Sequence, residues 1–170
     1  TFLRVVEETK SSGTKIFFDP NMRKTDLLSI SRIEKVIPFV DVFLPAQDEL
    51  TALFSKSEKF RFCSDLLSAG ISDIWIKKGA NGCSLFSKES CFDFPAPRVT
   101  AVDCTGAGDA FNAAVIWGYV NKLEEKEIGI YGNVYAGIST ERIGAATSYP
   151  YREEMLESKH YKSIKTGVKV

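Results

Sequence analysis

The chain has 170 residues, enough for one domain with a sizeable core, and its 44% hydrophobic and 26% charged content is ordinary for a globular protein. Lysine plus arginine and aspartate plus glutamate each total 22, so the net charge is zero and gives no electrostatic case for a nucleic-acid or membrane-surface partner. No apolar run approaches the roughly 20 residues that span a bilayer, and the opening Thr1-Phe2-Leu3 begins no signal-peptide pattern. Cys63, Cys83, Cys91 and Cys104 show no CxxC spacing, and His160 is the sole histidine. Small buried thiols in a reduced, cytoplasmic protein are therefore expected in preference to a zinc site.

Taken in order, Phe2–Ser12 has the apolar spacing of a short helix stopped by Gly13. Lys15–Asp19 reads as a buried strand ended by Pro20. A helix is predicted over Asp26–Ile37 with Asp26 as N-cap, then a strand over Asp41–Leu44 and helices over Gln47–Phe54 and Lys59–Ala69. The strand Asp73–Lys77 runs into a glycine turn at Gly79–Gly82, and Cys83–Ser87 and Cys91–Phe94 follow as two short strands. Pro95–Val102 is extended. Helices are expected from Gly106 to about Asn121, over Lys126–Arg142 and over Arg152–Lys159. Buried strands separated by helices indicate an α/β protein with a mostly parallel sheet. No repeat or interdomain linker interrupts it.

The chemistry concentrates in Ala101-Val102-Asp103-Cys104-Thr105-Gly106-Ala107-Gly108-Asp109-Ala110-Phe111. An extended segment enters a turn of small residues, and a helix starts at once. Gly106, Ala107 and Gly108 let a ligand approach the backbone closely. The N–H groups of the helix start, aided by the helix dipole, make an anion hole suited to a phosphoryl group. A carboxylate at Asp109 can accept the proton of an attacking hydroxyl. On residue type alone, the alternative is a tight strand-to-helix turn with Asp109 as a helix cap.

The string Asp103-Cys104-Thr105-Gly106-Ala107-Gly108-Asp109-Ala110-Phe111 resembles the DTxGAGD signature of the ribokinase/PfkB carbohydrate kinases. The resemblance implies that Asp109 is the catalytic base, also contacting substrate, and that Gly106, Ala107 and Gly108 form the anion hole. Phe18-Asp19-Pro20-Asn21-Met22-Arg23 is similar to the DPNxR segment of fructokinase-like and 2-keto-3-deoxygluconate kinase-like members, with Arg23 as a substrate-binding candidate. Ile76-Lys77-Lys78-Gly79-Ala80-Asn81-Gly82 resembles the family's nucleotide loop, which implicates Lys77, Gly79 and Gly82 in ATP binding; Asn133 matches the asparagine lining the adenine pocket. Pro45-Ala46-Gln47-Asp48-Glu49 stands at the N-x-x-E motif. Glu49 fits the glutamate that organises Mg²⁺ through water, while Ala46 replaces the expected asparagine. Asp103 and Thr105 fall where relatives place monovalent-cation contacts, which makes K⁺ a candidate alongside ATP and Mg²⁺.

The implied fold is the ribokinase-like three-layer sandwich. Residues 1–170 are expected to be its C-terminal nucleotide-binding and catalytic part, with the N-terminal sugar-binding and lid part absent and the isolated chain inactive. The implied reaction is transfer of the ATP γ-phosphoryl group to a sugar hydroxymethyl group, fructose and 2-keto-3-deoxygluconate being the candidate acceptors. The alternatives are a nucleoside kinase of the adenosine type and a non-catalytic nucleotide-binding fragment. A small-molecule sugar is the expected partner, with neither nucleic acid nor membrane, and a homo-oligomer is expected at full length.

Overall fold

Phe17-Phe18, Val42-Phe43 and the run from Asp73 to Lys77 are rich in large apolar residues without alternation, the pattern of strands covered on both faces. They form β1 (Phe17–Phe18), β2 (Val42–Phe43) and β3 (Asp73–Lys77). The pairing is parallel: Phe17 lies opposite Val42 and Phe18 opposite Phe43, then Val42 opposite Asp73 and Phe43 opposite Ile74. A single parallel bridge from Ala46 to Lys77 extends the second pair. With β4 (Cys83–Ser87) and β5 (Cys91–Phe94) they make a five-stranded sheet in the order β1-β2-β3-β4-β5. Only residues 88–90 join β4 to β5, too short a link for a parallel crossover, so that pair is a hairpin.

The computed structural model describes residues 2–22, 35–53 and 56–165. Its helices are α1 (Phe2–Ser11), α2 (Gln47–Leu53), α3 (Lys56–Ser68), α4 (Ala107–Val120), α5 (Glu125–Ser139), α6 (Arg152–Glu157) and α7 (Lys159–Lys165). The helix expected over Asp26–Ile37 lies mostly outside the described residues; its described end is helical at Lys35 and Val36 and continues as a 3-10 turn, Ile37–Phe39. None of the described helices is long and apolar enough to cross a membrane.

Two compact units emerge. The first comprises Thr1–Lys77 with Ser84–Cys91, the second Lys78–Cys83 with Phe92–Val170. In the first, Phe43, Ile74 and Ile76 pack with Leu50, Cys63, Leu66 and Ile71. Asp41 ties α1 to the sheet: its Oδ2 accepts the Ile16 N–H at 2.8 Å and its Oδ1 the Lys10 ammonium at 2.6 Å. Burial pushes this carboxyl up, but those two bonds outweigh it and hold Asp41 below the usual carboxylate range.

The second unit is largely helical. Tyr131, Val134, Ile138, Met155 and Tyr161 form its core, with the Trp117 ring stacked 5.2 Å from Tyr131 and Tyr161 edge-on to Tyr131 at 5.4 Å. Helices α4 and α5 approach closely because glycines face large side chains: a Cβ on Gly118 would meet Ile128 Cγ1 at 2.7 Å, and one on Gly132 would meet Phe111 Cε2 at 2.6 Å.

Two expectations need correcting. The helix predicted over Arg152–Lys159 is two helices, broken at Ser158, whose extended backbone (φ −62°, ψ 147°) ends α6. Ser158 Oγ then accepts the Tyr161 N–H at 3.1 Å, which caps α7. The thiols also divide: Cys63 and Cys83 are buried, whereas Cys91 and Cys104 are exposed. Cys91 opens a strand whose residues alternate toward solvent, and Cys104 lies in the turn before α4.

The tight contact between α4 and α5 gives a direct test. Gly132→Ala should lower unfolding stability by about 1–3 kcal/mol, the usual cost of overpacking a core, because the Phe111 ring would have to move. A thermal or urea melt of the variant against the wild-type chain measures it.

Candidate active site

In the second unit, the segment before α4 is a type II turn. Gly106 has φ 79° and ψ 0°, the third-residue geometry of that turn, and the Ala107 N–H donates to the Cys104 carbonyl at 3.2 Å. Glycine is required there on two counts: the backbone is left-handed, and a Cβ would stand 2.7 Å from Tyr149 Oη and 2.9 Å from Ala145 Cβ. Gly106 is itself the N-cap residue of α4, and no side chain caps the helix. Asp109 is therefore not a cap. It occupies the third helical position, exposed, and makes no hydrogen bond or ion pair among the described residues.

Helix geometry leaves the N–H groups at positions 107, 108 and 109 without intrahelical acceptors. Ala107 directs its N–H to Cys104, so the two left open are those of Gly108 and Asp109. Of the Gly106–Gly108 backbone expected to form an anion hole, the Ala107 N–H is thus taken up by the turn. The first intrahelical bond, Ala110 N–H to Gly106 carbonyl at 2.9 Å, follows directly.

Asp103 holds this turn in place. Its Oδ1 accepts the Thr105 N–H at 2.9 Å and its Oδ2 the Gly144 N–H, also at 2.9 Å, across 41 residues. The Thr105 hydroxyl and these two backbone N–H groups hold the Asp103 carboxyl down at about 2, with burial opposing only weakly. Tyr149 adds a second link, its hydroxyl donating to the Gly106 carbonyl at 3.1 Å across 43 residues. Burial, and then the charge of Asp109, push the Tyr149 phenol up.

The glycine loop lies in the same unit. Gly79–Asn81 is a 3-10 turn closed by Lys78 N–H to Gly82 carbonyl at 2.7 Å. Gly82 has φ 86°, and a Cβ there would lie 1.9 Å from the Phe94 carbonyl oxygen. Asn133 is buried and spends its amide on the same backbone, donating to the Phe94 carbonyl at 2.9 Å and the Pro95 carbonyl at 3.2 Å. Gly82 and Asn133 are thus brought together on residues 94–95. Burial pushes the neighbouring Cys83 thiol up to about 12 despite a hydrogen bond with Asn133, which leaves it an inert thiol. Lys78, which no motif singled out, pairs with Asp93 at 2.5 Å.

The first unit organises Glu49 and Lys77. Ala46 is the residue before α2, and Glu49, at the third helical position, reaches back so that its Oε2 accepts the Ala46 N–H at 2.6 Å; this is one half of a capping box. Its Oε1 accepts the Met22 N–H at 2.5 Å, which fastens the Asp19-Pro20-Asn21 loop. Lys77 pairs with Asp19 at 2.5 Å, and Asp19 also accepts the Asn21 N–H at 3.0 Å. Arg23 lies outside the described residues. Among the described residues, no group of three or more His, Cys, Asp or Glu side chains could hold a metal ion.

Because the folded Asp103 carboxyl sits at about 2, against about 3.9 unfolded, its ionised form stabilises the fold above about pH 4. That contribution fades as the pH falls from about 4 to about 2. Asp103→Asn should accordingly be less stable than wild type at neutral pH, with the gap closing toward pH ~2. Urea denaturation of both proteins across this range would show it; a gap that stays constant with pH would contradict the assignment.

The family model for pfkB family carbohydrate kinases matches residues 1–152. An uncharacterized sugar kinase of Archaeoglobus fulgidus is 32% identical over 148 residues, covering 86% of this chain and 56% of its own length. A 2-dehydro-3-deoxygluconokinase of Haemophilus influenzae is 31% identical over 156 residues, covering 85% of this chain and 49% of its own. Among solved structures, an E. coli protein assigned as a ribokinase II, crystallised with ATP and Mg²⁺, superposes with a TM-score of 0.81 at 28% identity, over 89% of this chain and 50% of that one. The chain spans about half the length of the curated relatives it matches. Its α/β fold is ribokinase-like, and by the match over residues 1–152 the chain belongs to the pfkB family of carbohydrate kinases.

Proposed function

We propose that the chain is the nucleotide-binding and phosphoryl-transfer part of an ATP-dependent kinase acting on a hydroxymethyl group of a sugar or sugar acid. The observation that carries the reading is the start of α4. There the Gly108 and Asp109 N–H groups have no intrahelical acceptor, and the exposed Asp109 carboxylate has no hydrogen-bond partner among the described residues. At an exposed structural turn such groups bond water. A phosphoryl site keeps them for the ligand.

In this reading the Asp109 carboxylate takes the proton of the acceptor hydroxyl as that oxygen bonds to the γ-phosphorus. The bond to the β–γ bridging oxygen breaks, and ADP leaves. The Gly108 and Asp109 N–H groups, with the positive end of α4, stabilise charge on the transferring group without reorganising. Mg²⁺ would offset charge on the ATP phosphates. Glu49 suits its water-mediated role, because each carboxylate oxygen keeps a lone pair beyond the N–H it accepts. A monovalent cation at Asp103 and Thr105 is supported by a carboxyl that stays ionised down to about pH 2.

Lys77, Gly79, Gly82 and Asn133 are assigned to ATP. For Gly82 and Asn133 the support is their convergence on the Phe94–Pro95 backbone. A ketose or 2-keto-3-deoxygluconate as acceptor is supported by the Asp19-Pro20-Asn21 segment and by the 2-dehydro-3-deoxygluconokinase relative. ADP release measured on the complete enzyme with fructose, 2-keto-3-deoxygluconate, ribose and adenosine separates the readings. Turnover with adenosine alone would move the protein to the nucleoside kinases. ATP binding with no acceptor-dependent ADP release would leave a nucleotide-binding module.

In the complete enzyme, Asp109→Asn should lower kcat by about 10²–10⁴, the range for loss of a general base, while ATP affinity, which rests on backbone N–H groups, stays at the wild-type level. Steady-state kinetics at saturating acceptor and an ATP titration of the same variant supply both numbers. Wild-type turnover in the variant would remove Asp109 from the chemistry.

A further inference from the structure

Helices usually open on Ser, Thr, Asp or Asn, whose side chain accepts the N–H of the second or third helical residue. In α4 those residues are Gly108 and Asp109, whose N–H groups the proposed phosphoryl site needs. A side-chain cap would fill the site it was meant to build. Gly106 supplies no such cap, so something else must fix the first turn.

Tyr149 is placed to do so. N–H groups at a helix start point back out of the helix, while carbonyls point along it. The Tyr149 hydroxyl bonds the Gly106 carbonyl, which also accepts the Ala110 N–H, so it grips the N-cap residue through the carbonyl and leaves the N–H groups clear. Its own backbone is well fixed. Ser148 and Pro150 on either side are buried, and Ser148 bonds the Ala145 carbonyl through both N–H (3.0 Å) and hydroxyl (2.7 Å). The same loop is anchored at its other end by Gly144 N–H on Asp103.

We infer that Tyr149 is a positioning residue of the phosphoryl site, standing in for a helix cap by holding the Gly106 carbonyl so that the Gly108 and Asp109 N–H groups stay open to an anion. The inference rests on the reading of α4 as the phosphate-binding element, and two separate readouts tell their failures apart.

The first readout is amide hydrogen exchange at Ala107 and Ala110, whose N–H groups are bonded to the Cys104 and Gly106 carbonyls, in Tyr149→Phe, with Tyr151→Phe as control, since Tyr151 is 82% exposed. Loss of one hydrogen bond should speed exchange at both amides about tenfold, while the core amides of Val115 and Val134 stay protected. The second is titration with Mg·ATP followed by the Gly108 and Asp109 amide resonances, where Tyr149→Phe should bind about tenfold more weakly. Wild-type exchange at Ala107 and Ala110 in Tyr149→Phe overturns the inference. So does loss of protection at Val115 and Val134, because the hydroxyl would then support the fold and not the turn. If Mg·ATP binds wild-type protein without shifting either amide, the phosphate reading fails, and exchange alone decides whether Tyr149 holds the turn.

Discussion

A helix start can tie its third-residue carboxylate back to the backbone or leave it open, and the two helix starts that matter here do one each. At α2, Glu49 bends back onto the Ala46 N–H and takes the Met22 N–H with its other oxygen, so the carboxylate is tied to the backbone on both sides. At α4, a glycine stands at the N-cap, no side chain answers, and the Gly108 and Asp109 N–H groups remain available. The first arrangement fixes a loop. The second leaves N–H groups open for the anion of the proposed function, without a helix cap that would contribute roughly 1 kcal/mol.

That missing contribution has to be offset elsewhere, which explains the polar contacts around residues 103–108. Asp103 holds N–H groups on both sides of the turn, and Tyr149 holds the carbonyl. The low pKa of Asp103 is the electrostatic signature of the same arrangement: hydrogen bonds to the charged form keep it charged. Hydrogen-bond geometry outweighs burial in setting its behaviour. Asn133 does comparable work for the glycine loop, fixing carbonyls where Asp103 fixes N–H groups.

These contacts mark the boundary of what the sequence discloses. The strands Asp73–Lys77, Cys83–Ser87 and Cys91–Phe94 emerge with the bounds their apolar runs and turn residues predict, and α4 begins one residue after the glycine that opens the motif. Local signals suffice for such elements. The partners of the turn do not announce themselves: Gly144 is 41 residues from Asp103 and Tyr149 is 43 from Gly106, and neither lies in a pattern that points back to the motif. The break at Ser158 was legible in principle, since serine is a favoured N-cap, but the charged residues on both sides continue a helical pattern across it. Cys104 is exposed for a reason only the fold supplies, its position in a turn whose inward contacts are made by Asp103 and Gly106.

Lys77 shows how much a motif can leave unsaid. Taken alone, a lysine closing a buried strand could reach into solvent or toward a phosphate. In the first unit its side chain is only 13% exposed and its ammonium lies 2.5 Å from Asp19, itself 21% exposed. At that burial an unpaired ammonium would be costly, and Asp19 provides the compensating charge. Asp19 in turn accepts the Asn21 N–H, so the ion pair is continuous with the loop that Glu49 fastens at Met22. An anion drawn to Lys77 would therefore meet a cation already half-compensated, whose position is set and whose net attraction is reduced. The pair favours placement over raw charge, consistent with phosphoryl transfer in which positioning carries most of the catalysis.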